Sequence, residues 1–246
     1  MKTFCIHCLL LLLLSNKSGA QNLTFYGFLP VLSQTGRISD KIDYNTFLST
    51  TIDAFARTEY GTEYPPKDLQ LYIQPSLIYK FGPNVNVAAS YTYQRNNPLS
   101  DDYSNEHRIW EQCILSRNFS KVRMTNRFRL EERFIQNRAK EYYPFSTRLR
   151  YQLGFNLPLQ GKTLDAKEFY LNTYNEFYFS LTGVKNATYS ENWTYAGIGY
   201  TTGAMGRVEL GYLLQMAVRD KQHDLRILNL MQISWITNIT FKKKQD

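Results

Sequence analysis

Between Val122 and Phe134 the chain alternates with a period of two. Thr125, Arg127, Arg129, Glu131 and Arg133 share one face, and Val122, Met124, Phe128, Leu130 and Phe134 share the other. Successive side chains of a strand point to opposite faces. Four charges therefore sit together on a face opposite a wall of large apolar groups. A soluble β-protein buries the apolar face and wets the polar one. A water-lined barrel in lipid does the reverse, with apolar side chains outward and polar ones enclosed.

The same alternation recurs along the chain. In 69–81, Leu69, Leu71, Ile73, Pro75, Leu77, Tyr79 and Phe81 fall on one face, and Gly82-Pro83-Asn84 then makes a tight turn. In 145–157, Leu149 and Tyr151 alternate with Arg148 and Arg150; in 168–181, Phe177 and Phe179 alternate with Glu168 and Glu176. In 207–219, Val208, Leu210 and Tyr212 oppose Arg207 and Glu209. These runs exceed the usual globular strand of about 5–6 residues. They reach the roughly 9–11 that a tilted transmembrane strand requires. Pro75 cannot donate to a ladder, so a local break is expected there.

Strand-like segments lie near 23–33, 38–57, 69–81, 85–95, 104–118, 121–136, 145–157, 167–181, 192–202, 206–219 and 223–239. Short connections near Gln34, Gly82, Phe119, Gly161 and Gly203 alternate with longer ones at 58–68, 96–103, 137–144, 182–191 and around Asp220. Bacterial barrels place short turns on the periplasmic side and long loops outside, with an even number of antiparallel strands. The fold expected is all-β: a transmembrane, antiparallel up-and-down barrel of ten spanning strands, twelve being the next choice, with a polar Arg/Glu-rich lumen. The first segment would start on the wrong side and is expected as a periplasmic arm or lumen plug, unless a further strand accompanies it.

The chain opens with Lys2, an unbroken run Leu9–Leu14 and the small residues Ser18-Gly19-Ala20. This is the pattern of a cleaved export signal, 1–20, followed by one domain, 21–246. The apolar run is too short to cross a bilayer as a helix. Cleavage would remove Cys5 and Cys8, leaving Cys113 without a partner for a disulfide. It would also lower the formal charge of +8 by two. The remaining basic residues are dispersed among acids, except at Lys242–Lys244, so a nucleic-acid partner is not expected. The expected location is the bacterial outer membrane of a Gram-negative cell. The expected partners are outer-membrane lipid and the barrel assembly machinery.

The residues expected to line the lumen are Glu106, Arg108, Arg127, Arg129, Glu131, Arg133, Arg148, Arg150, Glu168, Glu176, Arg207 and Glu209. Phe128, Leu130, Leu149, Tyr151, Phe177 and Phe179 are expected to face lipid. Two roles stand open for the charged face: an ion-selective path through a narrow porin-like solute pore, or a salt-bridge scaffold that holds a structural barrel round. A soluble β-protein that binds a ligand is a further alternative.

The run Asn126-Arg127-Phe128-Arg129-Leu130-Glu131-Glu132-Arg133 resembles the R-x-R-x-E-x-R strand of an uncharacterised family of bacterial outer-membrane barrels, common in Bacteroidetes. Arg148-Leu149-Arg150-Tyr151 is similar to its next strand, and Asn175-Glu176-Phe177 to its N-E-F/L-F strand. Glu106-His107-Arg108 and Gly197–Tyr200 followed by Gly211-Tyr212 also match, while Trp193 stands where the family usually has a basic residue. The resemblance implies an outer-membrane barrel and brings no catalytic residues.

Outer-membrane lipid hydrolases set a serine within reach of a histidine. At spacing two His107 has Asn105 and Ile109, and His223 stands beside Asp224. No catalytic set is read and an enzyme is not expected, an outer-membrane lipid hydrolase being the alternative. Two histidines and one thiol do not provide a transition-metal site, and no phosphate loop is present, so no metal or cofactor is expected.

Overall fold

A computed structural model describes residues 21–183, 186–203 and 206–239. The expected leader, 1–20, lies outside the described residues. The strands are β1 (Leu23–Arg37), β2 (Ile42–Asp53), β3 (Arg57–Glu59), β4 (Thr62–Tyr64), β5 (Lys67–Lys80), β6 (Val85–Asn96), β7 (Ser104–Phe119), β8 (Val122–Ile135), β9 (Phe145–Pro158), β10 (Phe169–Ser180), β11 (Tyr189–Gly203), β12 (Gly206–Val218) and β13 (Leu225–Asn238). No helix among the described residues is long and apolar enough to cross a membrane, which says nothing about strands.

Eleven strands close into a barrel in the order β1-β13-β12-β11-β10-β9-β8-β7-β6-β5-β2. The expected count of ten is therefore corrected. The first segment is neither an arm nor a plug: β1 enters the wall antiparallel to β2 and parallel to β13, with Leu23 opposite Arg226 and Thr35 opposite Asn238. A parallel joint lets an odd number of strands close, because β1 and β13 then run the same way. Closure leaves no free edge.

The connections sort into two ends. β1–β2, β5–β6 and β7–β8 turn tightly at one end, where Gly203 of β11 lies opposite Gly206 of β12 and residues 159–168 form a longer loop than the turn expected near Gly161. The other end carries 97–103, 136–144, 181–183, 186–188, 219–224 and the β3–β4 hairpin. That hairpin is tied to the mouth beside β1. Arg57 Nη1 reaches Asp53 Oδ2 at 2.7 Å, and its guanidinium lies 4.0 Å above the Phe25 ring.

Two local irregularities matter inside. At Pro75 the ladder to β6 is interrupted, with partners Ile73–Tyr93 and Ser76–Ser90 on either side. The Ser90 hydroxyl donates to the free Pro75 carbonyl. Between Thr51 and Ile52 the β2–β5 register shifts, so that Leu69 is passed over by the pairing. Leu69 consequently packs against the interior apolar cluster, not on the outer face that strict alternation predicts.

Candidate functional site

Register carries the inward charges of β7–β10 into one network. Glu131 on β8 stands opposite Arg148 on β9 and is fully buried, at 0% exposure. Arg148 Nε and Nη2 grip its Oε2 at 2.8 and 2.6 Å. Arg150 Nη1 holds its Oε1 at 2.7 Å, and Arg129 Nη1 lies 3.9 Å from the same atom. Glu176 on β10 takes Arg127 Nη2 at 2.6 Å and Arg150 Nε at 2.7 Å. Arg150 therefore bridges two carboxylates. Nearer the long-loop end, Glu106 pairs with Arg108 and, at 2.6 Å, with Arg133.

Neutral groups complete the network. Arg150 Nη2 donates to the Tyr178 hydroxyl at 2.8 Å, and Arg148 and Arg150 lie 4.9 and 4.4 Å from that ring centroid. Arg129 rests 3.8 Å above the Trp110 ring and donates to the side-chain oxygens of Gln112 and Gln74. Charge-assisted bonds of this kind are short and directional. In a confined interior each one matters, because an unpaired buried charge is costly.

A fourth carboxylate is held by neutral groups. Glu209 accepts from the hydroxyls of Tyr170 at 2.6 Å and Tyr195 at 3.3 Å, and from Asn172 at 3.1 Å. Room for these two tyrosines comes from Gly197, Gly199 and Gly211. A Cβ at Gly199 would stand 2.2 Å from the Tyr170 ring, and one at Gly197 or Gly211 would meet Tyr195 within 2.6 Å. The Gly-x-Gly-Tyr run is thus a floor for aromatic rings.

The opposite wall is apolar. Phe25, Leu29 and Val31 of β1, Leu213 of β12 and Leu228 and Leu230 of β13 are buried together with Tyr195, and Phe47 packs against them. The strand order places β8 and β9 five strands from β1, one on each side, so this wall faces the arginines directly. The lumen is therefore charged over one sector and greasy over the facing one, which corrects the expectation of a uniformly polar interior. Alternation hides this, because apolar residues occur on both faces of β1, β12 and β13, as at Leu213 and Leu214.

Between the two walls lies a cavity of about 740 Å³. It reaches the long-loop rim at Asn96, Ile135, Arg219 and Arg226, and its deepest lining includes Thr125, Gly154 and Asn172. Pro158, Tyr170, Glu209 and Ser234, nearer the tight-turn end, are buried and outside that lining. Ser76, Ala88, Ser90 and Trp110 fill the other side in the same way.

Of the charged residues read from the sequence, Glu106, Arg108, Arg129, Glu131, Arg148, Arg150, Glu176 and Glu209 are buried inside the barrel, and Arg127 and Arg133 line the cavity at the edges of the network. Arg207 stands at the tight-turn end, 5.8 Å from the Tyr170 ring. Glu168 departs from the set. It precedes β10 and accepts from the Asp165 amide within the 159–168 loop. The parity is right but the strand has not begun. Glu191 falls in the connection expected over 182–191, yet it lies in β11 and takes Arg148 Nη1 at 2.9 Å. Its spacing of two from Trp193, whose indole N–H donates to it at 3.2 Å, was the available signal.

The outer face carries large exposed apolar groups on every wall strand except β2, including Phe28, Leu77, Ile109, Phe128, Leu130, Ile198, Leu210, Met231 and Trp235. Leu149, Tyr151, Phe177 and Phe179 share this face and are half-buried by their neighbours. Glu111 and Glu132 also point outward, on β7 and β8. His107 is on the same side, with Nδ1 2.5 Å from the Tyr91 hydroxyl and ring contacts to Tyr93 and Tyr143.

Comparison with curated proteins and with solved structures gave no match. Residues 32–226, from within β1 to the start of β13, match the family model described as "Protein of unknown function (DUF2490)", and the chain belongs to that family.

Proposed function

We propose that this protein is an exported outer-membrane barrel of a Gram-negative bacterium, cleaved after Ala20, and that its Arg/Glu network is a brace for the wall, not an ion path. The observation that carries this reading is the inversion of the barrel. Large apolar side chains surround the outside, while Glu131 and the three arginines around it are sequestered within. In water so extensive an exposed apolar belt would be an aggregation hazard. In lipid it is what a spanning barrel needs. Glu111 and Glu132 are charged exceptions in that belt, and outward acids cost less in lipid than outward lysine or arginine.

The lipid-facing set is then Phe128, Leu130, Leu149, Tyr151, Phe177 and Phe179. The partners are outer-membrane lipid and the barrel assembly machinery. The tight turns face the periplasm, and the mouth of the cavity opens outward. The side chains packed beyond the deepest lining favour a closed structural barrel over a solute pore, and no catalytic role is assigned.

Expression of the full chain in a Gram-negative host, followed by separation of inner and outer membranes and an alkaline wash, tests this reading. The protein should stay with the outer membrane, dissolve only in detergent, begin at Gln21 and run faster on gels when unheated. Recovery of soluble, detergent-free protein would overturn it.

A further inference from the structure

The brace does not explain the cavity between the two walls. A brace needs cations and carboxylates in contact; it needs neither an empty volume nor a greasy wall facing it. Cavities of about 300–1,000 Å³ with apolar lining and a few placed polar groups are the usual form of ligand sites, and this one, at about 740 Å³, falls in that range.

Its two walls define the chemistry of an occupant. On the charged side, Arg127 and Arg129 are the cations least committed to the network. Arg127 makes one ion pair, to Glu176, and its buried Nε has no hydrogen-bond partner. Arg129 is bonded to neutral amide oxygens, with its nearest carboxylate at 3.9 Å. Both are inward on β8, at spacing two, and both line the cavity. The facing wall offers Leu29, Leu213 and Leu228. A donor pair with spare valence opposite a hydrocarbon surface suits a molecule with one anionic end and one apolar chain.

We propose that the lumen cavity binds a single-chain amphiphile with an anionic head, a carboxylate or a phosphate monoester. The head is held by Arg127 and Arg129 and the chain lies on the β1–β13–β12 wall. The site rests on the barrel fold and not on its location, so membrane fractionation and ligand binding fail independently.

Trp193 lines the cavity, whereas Trp235 is on the outer face. Full-length Trp235→Phe protein, refolded from urea into non-ionic micelles to strip bound lipid, is titrated with brominated octadecanoate, brominated lysophosphatidate and the matching brominated alcohol. Bromine quenches indole fluorescence on contact. At least one anionic probe should quench saturably, with the alcohol weaker by about tenfold or more, as loss of charge-assisted bonds implies. Comparison of the two anionic probes identifies the head group.

Replacing both Arg127→Gln and Arg129→Gln should erase the preference for the anion. The Arg127–Glu176 pair is lost, but Glu176 keeps Arg150, and Glu131 keeps Arg148 and Arg150, so each carboxylate retains a cation. Ser49→Phe, which fills the cavity from β2 with the uncharged Val31 and Tyr72 across its two ladders, should weaken every probe. Absence of saturable quenching by both anionic probes, equal binding of the alcohol, or an anion preference that survives the paired arginine change would overturn the proposal.

Discussion

Glu131 and Arg148 face each other across the β8–β9 ladder, and the arginine grips a single carboxylate oxygen through Nε and Nη2 at 2.8 and 2.6 Å. The pair joins two wall strands from the inside. Its value comes less from the attraction itself, which burial offsets, than from the penalty of leaving either partner alone.

Glu131→Gln removes the counter-charge shared by Arg148 and Arg150 while keeping the side chain's shape. The expected loss of stability is about 3–5 kcal/mol, the usual cost of breaking a buried pair. Urea unfolding in lipid vesicles measures it. A loss below about 1 kcal/mol, typical of solvated surface pairs, would mean that water screens the site.

Glu176 offers a more specific test through its partners. Arg127 has Glu176 as its one ion-pair partner, whereas Arg148 is engaged with Glu131 and Glu191. Glu176→Ala should lower the melting temperature in detergent. Arg127→Met should partly restore it, and Arg148→Met should not. Equal rescue by both, or by neither, would contradict the pairing seen in the barrel.

Gly199→Val places a branched side chain where the Tyr170 ring lies, since even a Cβ there would be 2.2 Å away. The ring must move and its 2.6 Å bond to Glu209 is lost. A destabilisation of roughly 1–3 kcal/mol is expected from overpacking. Tyr170→Ala in the same chain should relieve part of the clash, and a merely additive double variant would show that the two residues are not in contact.

Cysteines at 128, 130 and 177, in a Cys113→Ser background, should react with bilayer-soluble maleimides. Cysteines at 127 and 133 should react with small water-soluble reagents entering the cavity. The reverse pattern would mean a register slipped by one residue, which exchanges the two faces.

Strand positions were legible because period two is a strong signal, and all eleven wall strands overlap segments read from the sequence. The way the barrel closes was not. Even parity assumes that every joint is antiparallel, and nothing in Leu23–Arg37 or Leu225–Asn238 marks a parallel partner. The arginines of β8 and β9 were legible because each alternates with an apolar residue. The greasy wall was not, because Leu29 and Leu213 have apolar neighbours on both sides and Leu228 follows Ile227, so period two cannot say which side is inside. Leu69 was misplaced by a bulge, which changes parity without leaving a compositional mark. Glu168 shows the complementary limit, since parity carries no meaning beyond the end of a strand.

Single-channel recording of the purified full chain in a planar bilayer tests the central claim most directly. A barrel braced across its lumen and packed beyond the cavity's deepest lining should give no steady conductance. Glu176→Ala should change its stability without creating ion selectivity. Discrete ohmic openings in the unaltered protein, with a cation–anion preference that shifts in Glu176→Ala, would contradict the account and make the arginine network the lining of a pore.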